Sequence, residues 1–423
     1  MKPKIQSVKG TRDFYPEQMA LRNWLYGNMK AASQLFGYQE YDGPFVETLD
    51  LYAAKSGEEL VKEQSFVFND RGGDQITLRP ELTPSLARMV AARQAQLPRP
   101  IRWWSFGPFW RYERPQKGRS REFFQWNIDL LGVDSPAADA ELAAVAVTFF
   151  RLVGFTSDEV KLQFNNRRLM DAEVAALGLA DKKLAVFRLI DRRDKMSAEA
   201  WEKYASEQGV SPQQLDELKA ILANRDLWRK SDECAAFVED AGALGIADYL
   251  EYEPTVVRGL DYYTGTVLEA RDREGQFRAI LGGGRYDNLV GDVGGERLPG
   301  VGFAMGDMVI GLMAQQYGKV PPLRPSPAEV LVTVFDRAGL ADALKLAGEL
   351  RAAGVRAEWY PEAAKLDKQL KYADGTGVRF AIIIGPDEAA RGEVTLKDLQ
   401  NRTQAALPRA QLAAEIRRRT NVR

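Results

Sequence analysis

Apolar residues recur at near-helical spacing from Pro16 to Lys30, where Met19, Leu21, Trp24, Leu25 and Met29 predict one amphipathic helix. An extended segment follows from Tyr38 to Phe45, broken by Gly43-Pro44. The stretches SFVFND, QITLRP, IRWWSFGPFWRYE and REFFQWNIDLLG are rich in aromatic and β-branched residues and predict strands. DRGGD, between the first two, has turn chemistry and predicts an antiparallel pair. ELTPSLARMVAARQAQ predicts a helix opening near its Thr-Pro. Ala137 to Val153 reads as a long apolar helix ending near Gly154, and residues 165 to 245 as a charged helical insertion cut by short turns. The strand pattern returns in VVRGLDYYTGTVLEA and FRAILGGGRYD.

A proline-rich joint, KVPPLRPSP from Lys319 to Pro327, divides the chain. Beyond it EVLVTVF, VRAEWY, RFAIIIG and EVTLKDL read as strands, alternating with the helical segments ADALKLAGELRAAG and LDKQLKYADGTG. This predicts a small α/β domain over 329–423 behind a core of 1–325.

Composition narrows the chemistry. With 58 basic and 59 acidic side chains the net charge is −1, so a polyanion has to be met by a local basic cluster. The single cysteine, Cys234, excludes an intrachain disulfide framework and a multi-cysteine metal site. No apolar run reaches the roughly 20 residues needed to cross a bilayer, and the N-terminus lacks a signal-peptide core. The expectation is a soluble cytoplasmic protein without a membrane partner. The chain contains no histidine, where an average composition predicts about eight. Imidazole is therefore absent from every catalytic or metal-binding argument, and Arg, Lys, Asp, Glu, Gln, Tyr or backbone groups must serve.

Arg111 to Arg121, RYERPQKGRSR, carries five basic residues in eleven between two segments that can pair as a hairpin. Guanidinium groups suit phosphate clamping and Gln116 suits a base edge, whereas a solubilising loop is the plainer alternative. Arg111 and Glu113 share a strand face by the period of two. The same spacing places Arg79, Glu81 and Thr83 together, and a carboxylate there suits a ligand ammonium; Thr83 alone reads equally well as a helix start. Gln125 and Asp129 share the polar face of a strand whose other face carries Trp126, Ile128 and Leu130. In VVRGLDYYTG, Arg258 suits a phosphoryl group, with Tyr262 or Tyr263 as an aromatic wall; a buried Arg258–Asp261 pair is equally compatible. GGGRYDNLVG reads as a backbone-exposing loop before Arg285 or as a simple tight turn, and is neither a P-loop nor a dinucleotide fingerprint.

Taken in order, KGTRDFYP, LRPELT, FWRYERPQKGRSREFFQ, VRGLDYYTGTVLEA, GGGRYDNLVG and PGVGFAMG resemble the histidyl-tRNA synthetase family of class II aminoacyl-tRNA synthetases. The segment from KLDKQLKYADGTG to EVTLKDL resembles that family's anticodon-binding domain. The likeness spans nearly the whole chain and is thinnest across 165 to 245. It implies an α+β fold: an antiparallel catalytic sheet flanked by helices, a helical insertion, a C-terminal α/β anticodon-binding domain and a homodimer. It implies a histidine–tRNA ligase that uses ATP with Mg2+ to form histidyl-adenylate and passes histidine to the 3′ end of histidine tRNA. By resemblance, Arg111 and Arg258 are the catalytic arginines at the α-phosphate. Glu113 binds adenine, Arg119 lies near the phosphates, and Gln116 lies near the tRNA acceptor end. Glu81, Thr83, Gln125 and Asp129 form the histidine α-amino pocket, with Tyr262 and Tyr263 walling the imidazole site beside Arg258. No metal ligand among the side chains is implied. Lys365, Lys368, Lys371 and Arg379 are available for tRNA phosphates.

Two departures stand out. RPEGT reads RPELT, with Leu82 for Gly, and the motif 3 arginine that meets the ATP γ-phosphate falls on Val309. Arg285, Arg119 or Arg121 is then expected to take over that charge. The competing function is the histidine-sensing paralogue that regulates ATP phosphoribosyltransferase; it normally lacks the anticodon domain and an intact basic loop, and this chain has both.

Overall fold

The computed structural model describes residues 5–53, 64–116, 118–257 and 262–421. They gather into two compact units, one lying mainly in Arg22–Val320 and the other in Pro321–Arg423, with which Phe14–Leu21 at the start of the first helix are grouped. In the first unit the strands are β1 (Gln39–Glu40), β2 (Val46–Thr48), β3 (Phe66–Asn69), β4 (Gln75–Leu78), β5 (Ile101–Trp110), β6 (Glu122–Leu131), β7 (Val160–Asn166), β8 (Leu250–Tyr252), β9 (Thr266–Asp272), β10 (Leu281–Tyr286) and β11 (Gly300–Gly306). Eight form one sheet in the order β1-β5-β6-β11-β10-β9-β7-β8, and β2-β4-β3 form a smaller one. The interior pairs of the large sheet are antiparallel, while the edge pairs β1·β5 and β7·β8 are parallel.

Helices of this unit are α1 (Pro16–Leu35), α2 (Leu49–Ala53), α3 (Thr83–Arg93), α4 (Pro136–Val153), α5 (Arg167–Ala176), α6 (Lys183–Arg192), α7 (Ala198–Glu207), α8 (Pro212–Ala223), α9 (Asp232–Ala243), α10 (Leu289–Asp292) and α11 (Asp307–Gln316). The five helices α5 to α9 occupy the stretch between β7 and β8. Ser135 caps α4 by accepting a hydrogen bond from Ala137 N at 3.1 Å, Pro136 opens it, and Gly154 closes it at φ 96°. Most residues of α4 are apolar, and the helix is buried on several sides. Phe149 and Phe150 join Trp126, Ile128 and Leu130 of β6 in the main core, each such side chain stabilising the fold by about 1.5–3 kcal/mol. With that face of β6 packed, Gln125, Asn127 and Asp129 lie on the opposite face.

Three readings change. Of the two readings of GGGRYD the strand holds, as β10, and the ligand loop does not; its glycines serve close packing: a β-carbon at Gly283 would sit 2.7 Å from Phe303 Cα, and one at Gly284 2.9 Å from the Tyr263 ring. Arg79 to Leu82 lie beyond the end of β4, so Arg79, Glu81 and Thr83 do not share a strand face. Finally, EVTLKDL is not the last strand.

The second unit contains β12 (Val330–Val332), α12 (Leu340–Ala352), β13 (Ala357–Trp359), α13 (Leu366–Thr376), β14 (Phe380–Ile383), α14 (Pro386–Arg391), β15 (Glu393–Asp398), β16 (Thr403–Pro408) and α15 (Leu412–Asn421). Its sheet runs β13-β12-β14-β15-β16, parallel across the first three strands and antiparallel beyond. Val330 and Val332 pack with Leu346, Leu350, Leu412 and Ile416, whereas Leu331, between them, packs with Tyr360, Ala373 and Val378. Both faces are thus covered, which explains the continuous apolar run of the central strands.

Candidate active site

The long hairpin of β5 and β6 carries the basic segment at its tip. Its register runs from Ile101 opposite Leu131 to Trp110 opposite Glu122. The arms remain together beyond the strands, since Arg111 N donates to Arg121 O at 2.9 Å. At the tip Gln116 and Arg119 exchange backbone hydrogen bonds of 3.0 and 2.8 Å, and Gly118 takes φ 76° to turn the chain. Arg119 Nε lies 2.6 Å from Glu113 Oε2, so these two side chains form an ion pair along the loop.

Arg111 is fastened at its root. Its Nε donates to Pro80 O at 2.9 Å, and its guanidinium stands 5.3 Å over the Phe123 ring. Among the described residues it has no carboxylate partner, which leaves its terminal nitrogens for a ligand. Arg79 holds the neighbouring turn from beneath. Wholly buried, it donates to Pro108 O at 3.0 Å, Gly43 O at 3.0 Å and Asp42 Oδ1 at 2.7 Å, between the rings of Phe45 and Phe109. Pro80 and Glu81 are thereby pinned beside β5, and Glu81 is brought close to the arginine-bearing hairpin.

Glu81 opens a buried polar cluster. Tyr262 Oη donates to its Oε2 at 3.2 Å and also meets the Thr83 hydroxyl, and Tyr52 Oη donates to its backbone oxygen at 3.3 Å. Across the sheet Tyr286 Oη donates to Asp129 Oδ1 at 2.6 Å. The Tyr262 and Tyr286 rings stand edge to face at 6.0 Å and link the two carboxylates. This reach across β11 depends on two glycines. Asp129 faces Gly302 in register and Tyr286 faces Gly300. A methyl group at Gly302 would collide with the Asp129 carboxylate, and one at Gly300 would lie 2.7 Å from the Tyr286 ring. Burial pushes Asp129 up to about 7, with the Tyr286 hydrogen bond opposing the rise. Burial, and then the nearby carboxylates, push Tyr262 and Tyr286 well above the usual tyrosine range. A cluster of neutral phenols around two carboxylates offers acceptors to a cationic group in a dry site.

A model of the histidyl-tRNA synthetase family matches residues 10–308, and one of the anticodon binding domain matches residues 329–419. The chain is 37% identical to the histidine–tRNA ligase of Opitutus terrae, with 98% of each chain covered, and 37% identical to that of Leptospira biflexa, with 94% of each covered. The chain belongs to the histidyl-tRNA synthetase family. Its activity is accordingly that of a histidine–tRNA ligase. The crystal structure of the histidyl-tRNA synthetase from Nostoc sp. PCC 7120 superposes with a TM-score of 0.84 at 26% identity, covering 99% of this chain and 100% of that one.

Within this synthetase fold the structure brings Glu81, Thr83, Asp129 and Tyr262 together; Tyr263 lies beside Tyr262 at a ring separation of 5.0 Å. Gln125 stands on the same face of β6 as Asp129, flanked in register by Gly107 and Gly306, so no neighbouring side chain crowds it within the sheet. Arg111, Glu113 and Arg119 form the basic side, and Gln116 is exposed at the hairpin tip. Arg258 and Asp261 lie outside the described residues.

Arg285 does not belong to an ATP site. It is 1% exposed and gives its donors to Asp139 Oδ1 at 2.6 Å, Ser135 O at 3.0 Å and Val133 O at 3.0 Å. No hydrogen-bonding capacity reaches a ligand; the residue ties β10 to the start of α4. Arg121 is stacked 3.9 Å over the Tyr112 ring with its Nε on Glu113 O at 3.2 Å. Val309, in the first turn of α11, is buried, and a β-carbon on Gly118 would lie 3.6 Å from its Cγ2. Tyr286, Gly300 and Gly302 escaped the sequence reading although they lie inside the quoted motifs. The signal was available: PGVGF places two glycines two apart, on one face of a strand, where bulky residues from both neighbours can meet.

Proposed function

We propose that the acidic pocket of Glu81, Thr83, Gln125 and Asp129 binds the α-ammonium of histidine, and that Arg111 and Arg258 neutralise the ATP α-phosphate. The observation that carries this reading is the link through Pro80: the turn that bears Glu81 also anchors the Arg111 guanidinium. An amino acid held by its ammonium in the pocket then presents its carboxylate toward the arginine side. Attack of that carboxylate on the α-phosphorus forms the mixed anhydride and expels pyrophosphate. The reaction needs alignment and charge neutralisation more than proton transfer, which fits a site built without imidazole. Mg2+ enters with ATP as part of the substrate. Glu113 meets the adenine, Arg119 the phosphates, and Tyr262 and Tyr263 wall the imidazole.

The region 1–325 serves as the catalytic core, with the helical insertion at about 165–245, and 329–423 reads the anticodon arm. Lys365 and Lys371 suit phosphate contacts, but Arg379 is held by Asp398 Oδ2 at 3.2 Å and Arg419 O at 2.8 Å and is excluded from that role. The protein acts in the cytoplasm as a homodimer. Exposed Phe45, Val46, Val67 and Phe68 around the small sheet support the dimer, and among the described residues no helix is long and apolar enough to cross a membrane. Charging of histidine tRNA by the full chain tests the arrangement. Anticodon substitutions are expected to weaken charging while leaving adenylate formation unchanged; equal charging of all anticodon variants contradicts the role given to the second unit.

A further inference from the structure

Val309 leaves the triphosphate end of the proposed site without an arginine on α11, and Arg285, its donors spent on Asp139, Ser135 and Val133, does not compensate. One cation nearby is not committed. Arg278 lies three residues ahead of β10, in a turn fixed by the buried Asp272, whose carboxylate accepts from Gln276 N at 2.7 Å and Phe277 N at 3.1 Å. In the β10·β11 register Leu281 faces Met305, so the chain just before β10 runs beside the β11–α11 junction that leads to Val309. Among the described residues Arg278 has no hydrogen-bond or ion-pair partner.

Its charged neighbours are Arg119 and Glu113 of the hairpin loop. Partial burial and then the like charge of Arg119 hold the Arg278 guanidinium below its ordinary range, while Glu113 acts in the opposite direction. Glu113 is already paired with Arg119 at 2.6 Å. Two guanidiniums therefore lie in the field of one carboxylate, which is paired with only one of them, and the excess at the loop beside Val309 is positive. Such an arrangement is relieved by an anion with several oxygens, placed between the two arginines.

We propose that Arg278, with Arg119, binds the β- and γ-phosphates of ATP and supplies from the turn before β10 the charge that Val309 does not. This inference rests on the ATP-site reading above and extends it to a residue with no part in the histidine pocket. Arg278→Ala and Arg278→Lys should be compared with the unaltered chain in histidine-dependent exchange of pyrophosphate into ATP. In parallel, calorimetry should measure binding of a sulfamoyl analogue of histidyl-adenylate, which lacks the triphosphate tail.

Loss of a charge-assisted contact is expected to raise the KM for ATP by about tenfold to a hundredfold in Arg278→Ala, with Arg278→Lys intermediate. Turnover at saturating ATP, the KM for histidine and analogue binding should stay within about twofold of the unaltered chain. An unchanged KM for ATP overturns the assignment, as does a parallel loss of analogue binding, which a merely structural role would produce. Absence of exchange in the unaltered chain would instead overturn the ATP-site reading on which the assignment rests.

Discussion

Around Asp129 the polar groups are buried and answer one another, whereas around Arg119 they are more exposed and carry more positive charge than the nearby carboxylate neutralises. The acidic side is held by strands: β6, β10 and β11 fix Asp129 and Tyr286 by register, and two glycines give them room. The basic side sits on a hairpin tip and a turn. The difference is one of preorganisation. A small amino acid gains from a rigid, desolvated socket, because holding the ammonium costs the protein no rearrangement. A triphosphate is long, solvated and variable in shape, and side chains on loops can follow it.

The largest expected effect comes from a residue placed in the scaffold of this comparison rather than in either half. Arg285→Ala strands Asp139, a carboxyl that burial pushes up to about 6 against the pull of Arg285. Removing one partner of so buried a pair should destabilise the fold by about 3–5 kcal/mol in urea unfolding. A stable variant with a selective rise in the KM for ATP would return Arg285 to the phosphate site. Next in size, Arg111→Ala should depress exchange turnover by roughly two to three orders of magnitude, with histidine binding by calorimetry little altered. Equal loss of both would mean that the two halves are not separable.

Asp129→Asn gives the smaller but more diagnostic change. The KM for histidine should rise by about tenfold to a hundredfold through loss of a charged acceptor. Stability should move the other way. Because burial lifts this carboxyl from its ordinary 3.8 to about 7, the folded chain retains a proton that the unfolded chain has already released between those values. Wild-type stability from this group is therefore present at acid pH and is lost as pH rises through about 7. Asparagine escapes that loss, so thermal unfolding should show the variant gaining on the wild type at pH 8 and gaining less at pH 5. A variant less stable at pH 8 than at pH 5, relative to wild type, reverses the sign and removes the burial argument.

Much of the acidic half was legible because strands have a strict period. Trp126, Ile128 and Leu130 declared one face of β6 apolar, which put Gln125 and Asp129 on the other. The hairpin of β5 and β6 followed from two aromatic-rich runs flanking a basic stretch. Period did not help where a side chain turns on a bend: Arg79, read with Glu81 and Thr83, is instead a buried strut to Asp42 and Pro108. Glycine-rich sequence misled in the same manner. Gly283 and Gly284 exist for contact with Phe303 and Tyr263, which are remote in sequence, so the triplet looked like a ligand loop. β16 was missed because TQAALP is largely exposed and lacks a strand's alternation. Arg278 carries no local signal at all; only the pairing of β10 with β11 brings it beside the loop.

The central claim is that a buried acidic pocket and an arginine-bearing hairpin, joined through Pro80, activate histidine despite Val309. Exchange of radiolabelled pyrophosphate into ATP by the full chain, with Mg2+ and without tRNA, tests it most directly. Robust exchange that requires histidine and is not supported by other amino acids is the expected result. No exchange from folded protein at saturating histidine and ATP would contradict the account and leave histidine sensing without catalysis as the better description of the site.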